Sequence, residues 1–217
     1  MTAAFGFPIA LDLRGRRVVV IGSDAVRDGR VGALLDAGAD DVFVVADGPI
    51  AERDAPADGR VELARRRWRP DDLDGAFLCL ASSTDADERS RIATAARDRR
   101  VLVNVTDDVD NCDYAVPAIV RRGDLAVAIS TGGRSPALAR RLREILEGRF
   151  GAEWEEIVRV LAAVRDETAT ALPDLKERSR RWRRALDVDE AERLVRAGRA
   201  SELHDVLVHR LLGRGAA

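Results

Sequence analysis

Four short, almost wholly apolar runs constrain this chain more than any other feature: residues 18–21, 42–45, 76–81 and 101–105. Each is too short for a buried helix and has no polar alternation, the pattern of strands covered on both faces. Between them lie segments of helical period. Val26, Val31, Leu34 and Leu35 fall roughly on one face of a helix predicted from about residue 26 to 37, with Gly38 as its stop. Residues 86–97 form another, with Ile92, Ala95 and Ala96 facing inward. Strands alternating with helices over about a hundred residues predict an α/β, doubly wound parallel sheet.

The character then changes. Residues 114–120 and 125–130 are β-rich and flank a turn, Arg121-Arg122-Gly123-Asp124. Neither run has an obvious partner strand in the chain, and exposed strand edges are a liability. Thr131-Gly132-Gly133 breaks the chain, and Ser135-Pro136 opens a helix with Ser at the N-cap and Pro at the first helical position. From about residue 152 to 212 the pattern is helical, with Trp154, Ile157, Leu161 and Val164 at helical spacing. Pro173, residues 186–189 and Gly198 punctuate three or more helices. The organisation predicted is a Rossmann-like domain over 1–112, a β-rich segment over 113–150 and a small helical domain over 151–217.

Composition narrows the partners. The formal net charge of −2 gives no general attraction to nucleic acid or to an anionic membrane. No apolar run approaches 20 residues and no signal peptide is evident, so a soluble cytoplasmic protein is expected. The two cysteines, Cys79 and Cys112, form no CxxC pair and indicate neither a zinc site nor a disulfide. Cys79 lies in an apolar run and reads as a buried thiol.

The order NVTD (104–107), CDYAVPAIV (112–120), RRGDLAVAISTGG (121–133) and SPALARRLR (135–143) resembles the precorrin-2 dehydrogenase/sirohydrochlorin ferrochelatase family, the dehydrogenase–chelatase module of siroheme synthase. The resemblance extends to the opening FPIALDLRGRRVVVIG and to LPDLKERSRRW. It implies NAD-dependent oxidation of precorrin-2 to sirohydrochlorin, with ferrochelation by the same protein as a second activity and ferrous iron then a substrate. It further implies a tetrapyrrole cleft, a homodimer formed through the 113–150 segment, and a catalytic role for Asp107. That oxidation removes a hydride and protons, and metal insertion removes pyrrole protons, so a carboxylate at a strand end can serve as base. Asp108, Asp110 and Asp113 read as solvated loop charges or caps. The family's accompanying methyltransferase domain is not expected in a chain ending at Ala217.

A dinucleotide turn needs one glycine for the bend and a second for close approach of the pyrophosphate. The family loop reads like GGGxVAxRK. Here it is Gly22-Ser23-Asp24-Ala25-Val26-Arg27-Asp28-Gly29-Arg30, with Asp24 in place of the second glycine and Arg27 in place of a small residue. A carboxylate about 4 Å from a phosphate charge is repelled by roughly 4 kcal/mol at an effective dielectric near 20. That is about a thousandfold in affinity. The candidate cofactor residues are Gly22, Ser23, Ala25 and Val26 in this turn, Ala46 and Asp47 after the second strand, and Ser82 and Ser83 after the 76–81 strand. Asp47, about 20 residues past the turn, is placed to hold ribose hydroxyls, and Asp47-Gly48 reads equally as a plain turn. Ser82 and Ser83 read equally as caps of the next helix. The alternative function is a chelatase-only or tetrapyrrole-binding relative whose nucleotide affinity Asp24 has weakened. The metal ligands are not indicated. His204 and His209, five residues apart, and the arginines between Arg178 and Arg184 remain open between binding the tetrapyrrole or its metal and lying on a solvated helix face.

Overall fold

The computed structural model describes residues 5–27, 29–50 and 58–213, with the side chain of Arg27 outside the description. Asp28 and residues 51–57 also lie outside the described residues. The chain divides into two compact units, Met1–Val116 and Pro117–Ala217.

The first unit is built on a five-stranded parallel sheet: β1 (Arg17–Ile21), β2 (Asp41–Val45), β3 (Val61–Ala64), β4 (Leu78–Ala81) and β5 (Leu102–Val105), in the order β3-β2-β1-β4-β5. β1 is buried on both faces for the reason its composition suggests. Val18 and Val20 pack into one core with Val42, Val44, Leu78 and Leu80, and Val19 and Ile21 pack into the opposite one with Phe43, Val45, Cys79 and Ile92. Each valine fully withdrawn from water contributes about 1.5–3 kcal/mol. Burial pushes the Cys79 thiol up to about 12, so it stays protonated and inert.

The first helical segment differs from expectation. It begins at Ser23, directly after the glycine turn, and is broken in two: α1 (Ser23–Arg27) and α2 (Arg30–Asp36). Gly29 adopts a left-handed φ of +71°, which a continuing helix cannot contain. Gly38 ends α2 as predicted. Its N–H donates to Leu35 C=O and that of Ala39 to Leu34 C=O, the paired bonds of a Schellman stop. α3 (Ala86–Asp98) starts at Asp85, whose carboxylate accepts from the Asp87 N–H, and buries Ile92, Ala93, Ala95 and Ala96.

In the second unit, β6 (Ala118–Arg122) and β7 (Leu125–Ile129) pair with each other as an antiparallel hairpin. The two β-rich runs are therefore partners, contrary to the expectation from sequence. A two-residue loop joins them, and its first residue, Gly123, has φ +55°, as tight hairpins favour. Tyr114 is not part of that strand. It belongs to the first unit, where its hydroxyl donates to Cys79 C=O at 3.1 Å.

α4 (Pro136–Arg149) opens as predicted, with Ser135 Oγ accepting from the Leu138 N–H. The helices α5 (Glu153–Thr168), α6 (Leu175–Ala185), α7 (Val188–Arg196) and α8 (Ala200–Leu212) close around Ile157, Val160, Val164, Leu194, Leu203, Leu207 and Leu211. Asp174 and Asp187 cap α6 and α7 by accepting from the N–H groups of Glu177 and Glu190.

Candidate functional site at the carboxyl edge of the sheet

Four strands of the first unit end level with one another. Ile21 is in register with Val45 and Ala81, and Ala81 with Val105. Gly22, Ala46, Ser82 and Thr106 follow, and the ladder continues into them. The Gly22 N–H donates to Val45 C=O, that of Ser82 to Ile21 C=O and that of Thr106 to Ala81 C=O, each at 2.9 Å. Strand order reverses between β1 and β4, and open α/β sheets bind ligands outside the carboxyl ends at such a reversal.

Gly22 is there because nothing larger fits. Its φ is +98°, and a Cβ built on it would lie 2.2 Å from the Ser82 carbonyl oxygen. Ser23 is half-buried beside Gly48, where an added Cβ would lie 2.6 Å from Ser23 Oγ. The loops after β1, β2 and β4 thus meet at one place. Ala25 and Val26 turn their side chains into the core, and the Ala46 N–H is already bonded to Ala64 C=O. From these three, only other main-chain groups are left for a ligand. Asp24 sits half-buried in the first turn of α1. Asp47 is exposed, with the Arg67 guanidinium 3.4 Å from its carboxylate.

The two serines after β4 part company. Ser82 brings its backbone against Gly22. Ser83 donates its hydroxyl to Glu88 and accepts from the Asp85 N–H, so it serves the start of α3. Glu88 also accepts from the Trp68 indole N–H at 3.1 Å.

Asp107 lies two residues beyond β5, exposed, with φ +58°. Aspartate tolerates this left-handed conformation better than most residues. Its neighbours hold it there. Asp108 accepts from Asn111 Nδ2 at 3.0 Å and from Arg89 Nε at 2.8 Å, and these bonds hold its carboxyl below the usual carboxylate range. Arg89 also donates to the carbonyls of Ser83 and Thr84, tying the loop after β4 to the loop after β5. Asp113 accepts from Arg97 and from the Val103 N–H. Asp108 and Asp113 are therefore clamps rather than solvated charges, because each has an arginine of α3 within reach. Cys112 backs the same turn, with Sγ 3.1 Å from the Val105 nitrogen and burial raising its thiol pKa. The turn that presents Asp107 is fixed on both sides. With strands about 4.8 Å apart, β5 lies two spacings, roughly 10 Å, from β1 and the Gly22 turn.

Residues 9–118 match the family described as putative NAD(P)-binding, and residues 122–149 match the one described as sirohaem biosynthesis protein central. The chain belongs to the putative NAD(P)-binding family. This NAD(P)-binding chain is 36% identical over 210 residues to "Siroheme synthase 1" of Pectobacterium atrosepticum, covering 95% of this chain and 43% of the relative. It is 34% identical over 201 residues to "Siroheme synthase" of Methylococcus capsulatus, covering 93% and 42%. The chain thus spans less than half the length of the curated relatives it matches. Its fold is that of a solved structure described as "SirC, precorrin-2 dehydrogenase", with a TM-score of 0.62, 24% identity and coverage of 96% of this chain and 97% of the other.

The residues of the edge fit a dinucleotide at two points. Gly22, at φ +98°, makes the sharp bend such a turn needs, and Asp47 follows the end of β2. Asp24 brings a charge of the wrong sign into the turn.

Several candidates in the second unit have partners within it. Arg178 donates to Leu172 C=O, Arg181 to Glu177 and Leu211 C=O, and Arg183 to Ser179 C=O, while Arg180 pairs with Glu177. His204 lies 3.0 Å from Glu167 and 3.3 Å from Asp205, and His209 is exposed. Among the described residues no group of three or more His, Cys, Asp or Glu is arranged to hold a metal ion, and no helix is long and apolar enough to cross a membrane.

The positioning residues Arg89, Glu88 and Trp68 were not singled out in the sequence. Each acts on a partner 19 or 20 residues away, at 108 or 68/88, so periodicity gives no sign of it.

Proposed function

We propose that this chain oxidises precorrin-2 to sirohydrochlorin with NAD as hydride acceptor, a step of siroheme biosynthesis. The observation that carries the reading is the placing of Asp107 on a clamped turn along the same sheet edge as the Gly22 turn. The family match and the siroheme synthase relatives support it. When bound, the nicotinamide takes up a hydride. The chain's own residues bind, orient and deprotonate. Main-chain groups of the Gly22–Val26 turn face the pyrophosphate, Asp47 accepts from ribose hydroxyls, and Ser82 borders the cofactor. Asp107 takes the proton that leaves the macrocycle as its hydride departs. An exposed carboxylate needs no separate path to pass that proton to water. Ferrochelation of the product is a further activity of the same reading, with ferrous iron as substrate and Asp107 again as base. The direct test is formation of sirohydrochlorin from precorrin-2 on addition of NAD.

The altered turn sets an expected affinity. Asp24→Gly removes a carboxylate from the first turn of α1 and tightens NAD binding by tenfold or more, since roughly 1.4 kcal/mol already corresponds to that factor. Calorimetric titration of both proteins checks this. An unchanged dissociation constant, low micromolar in each, would mean that Asp24 faces away from the pyrophosphate.

The reading includes a homodimer formed through the hairpin and α4. Among the described residues β6 and β7 pair only with each other, so both outer edges of the hairpin lack a strand partner. On α4 only Ala139 is buried, while Leu138 and Ile145 are half exposed with Leu142 between them on the same face. Light scattering at micromolar concentration is expected to give twice the chain mass, and a monomer there would contradict the dimer.

A further inference from the structure

We propose that Arg89 is a positioning residue of the oxidation: it joins the loop after β4 to the turn after β5 and so sets Asp107 at a fixed reach from the coenzyme. The inference rests on the functional reading above and deepens it.

Arg89 stands where a charged residue is out of place. Residues 89, 92, 93 and 96 recur on one face of α3, and Ile92, Ala93 and Ala96 are fully buried against the sheet. The stem of Arg89 therefore leaves from a packed surface, and its guanidinium comes out between two loops. Its side chain is 24% exposed and that of its partner Asp108 17%.

Three bonds use two arms of the guanidinium. Nε donates to Asp108 Oδ2 at 2.8 Å, and one terminal nitrogen donates to the Ser83 and Thr84 carbonyls at 3.1 and 3.2 Å. A planar fork can hold such divergent acceptors at once, which the single ammonium of lysine does poorly. Ser83 follows Ser82, whose carbonyl abuts Gly22, and Asp108 follows Asp107. One group thus links the loop that borders the coenzyme to the residue beside the base. The other bonds of the turn do not make this link. Asn111 donates to Asp108 within the turn itself, and Arg97 donates to Asp113 and to the Asp110 carbonyl. The sheet ladder, extended by Thr106 to Ala81, ends before Asp107.

The consequence for the reaction is geometric. A shift of about 1 Å in a reacting group can cost about a hundredfold in rate. Without Arg89 the turn is released from the β4 loop, and Asn111 alone is left to donate a side-chain bond to the part-buried Asp108 carboxylate. Asp107 then keeps its chemistry and loses its aim.

The test places Arg89→Gln, Arg89→Lys and Asp108→Asn in the wild type and in Asp107→Asn. The readouts are kcat and KM for sirohydrochlorin formation, NAD affinity by calorimetry, and thermal melting. In the wild type, Arg89→Gln is expected to lower kcat by about ten- to a hundredfold. The NAD dissociation constant and the tetrapyrrole KM stay within about threefold. Arg89→Lys recovers part of the rate, because it keeps the charge without the fork. Asp108→Asn gives a smaller loss, since its amide oxygen still accepts. In Asp107→Asn, Arg89→Gln costs no further rate, because nothing is left to aim. An equal fractional loss in both backgrounds, or a wild-type kcat in a folded Arg89→Gln protein, would overturn the positioning role and leave the oxidation standing. Should Arg89→Gln fail to fold, Asp108→Asn carries the same comparison of backgrounds. No sirohydrochlorin from the wild type would overturn both.

Discussion

Asp107→Asn is expected to leave the protein folded and able to bind tetrapyrrole while its turnover falls by about 10²–10⁴-fold, the usual contribution of a positioned base. Asparagine suits this test for two reasons. It matches the carboxylate in size and in most of its hydrogen bonding, yet takes up no proton at neutral pH. It also tolerates the left-handed backbone that residue 107 adopts, at φ +58°, so no strain is added. Alanine there would confound loss of the base with strain in the turn. The clamp made by Asp108, Arg89 and Asn111 is untouched by the substitution, so the loop keeps its place. Two assays divide the outcome. Loss of both precorrin-2 oxidation and metal insertion into supplied sirohydrochlorin would assign one carboxylate to both steps. Loss of the first alone would leave chelation to another base, with His204, already paired with Glu167, the next candidate. Wild-type rates in both would remove Asp107 from the mechanism.

Gly22→Ala is expected to be the most damaging single-methyl change in the first unit. The new Cβ meets the Ser82 carbonyl oxygen at 2.2 Å, and the contact is backbone against backbone. Either the β1 turn or the β4 end must move, and φ +98° is itself unfavourable for alanine. A cost on the order of 2–4 kcal/mol follows, and each kcal/mol lowers the melting midpoint by about 2–4 °C at this chain length. Nucleotide affinity is expected to fall with it, because the displaced turn is the surface proposed to face the pyrophosphate. Gly29→Ala is the control. Gly29 also has a left-handed φ, but its added Cβ has nothing within 4 Å, so only the conformational cost of about 1–2 kcal/mol remains. A Gly22→Ala protein no less stable than Gly29→Ala would mean that the β1–β4 approach is looser than described.

The centre of the sheet was legible because β1, β2 and β4 are buried on both faces and read as unbroken apolar runs, whereas the edge strand β3 carries Glu62, is only partly buried and gives no such run. The start of α4 at Ser135-Pro136, the stop at Gly38 and the helical character of residues 152–212 were legible because caps, glycines and period are local signals. The break in the first helix was not, since nothing in the local pattern sets Gly29 apart from a glycine tolerated within a helix. The mutual pairing of β6 and β7 was obscured by a start placed too early, at Tyr114, whose hydroxyl is instead drawn to Cys79 in the sheet. At the candidate site, the residues that touch the edge through local sequence could be named: Gly22, Asp47, Ser82 and Asp107. Ser83 was named as well, but its hydroxyl is committed to Glu88. The residues that hold the edge together were out of reach. Arg89 meets Asp108, Arg97 meets Asp113 and Arg67 meets Asp47 only after the sheet has brought separate loops together.

The most direct measurement follows nicotinamide reduction and sirohydrochlorin absorbance together after precorrin-2 is added to the protein with NAD. One reduced nicotinamide per sirohydrochlorin formed is expected, with the rate lost in Asp107→Asn. Metal insertion into supplied sirohydrochlorin with no reduction of NAD by precorrin-2 would contradict it and make the chain a chelatase alone.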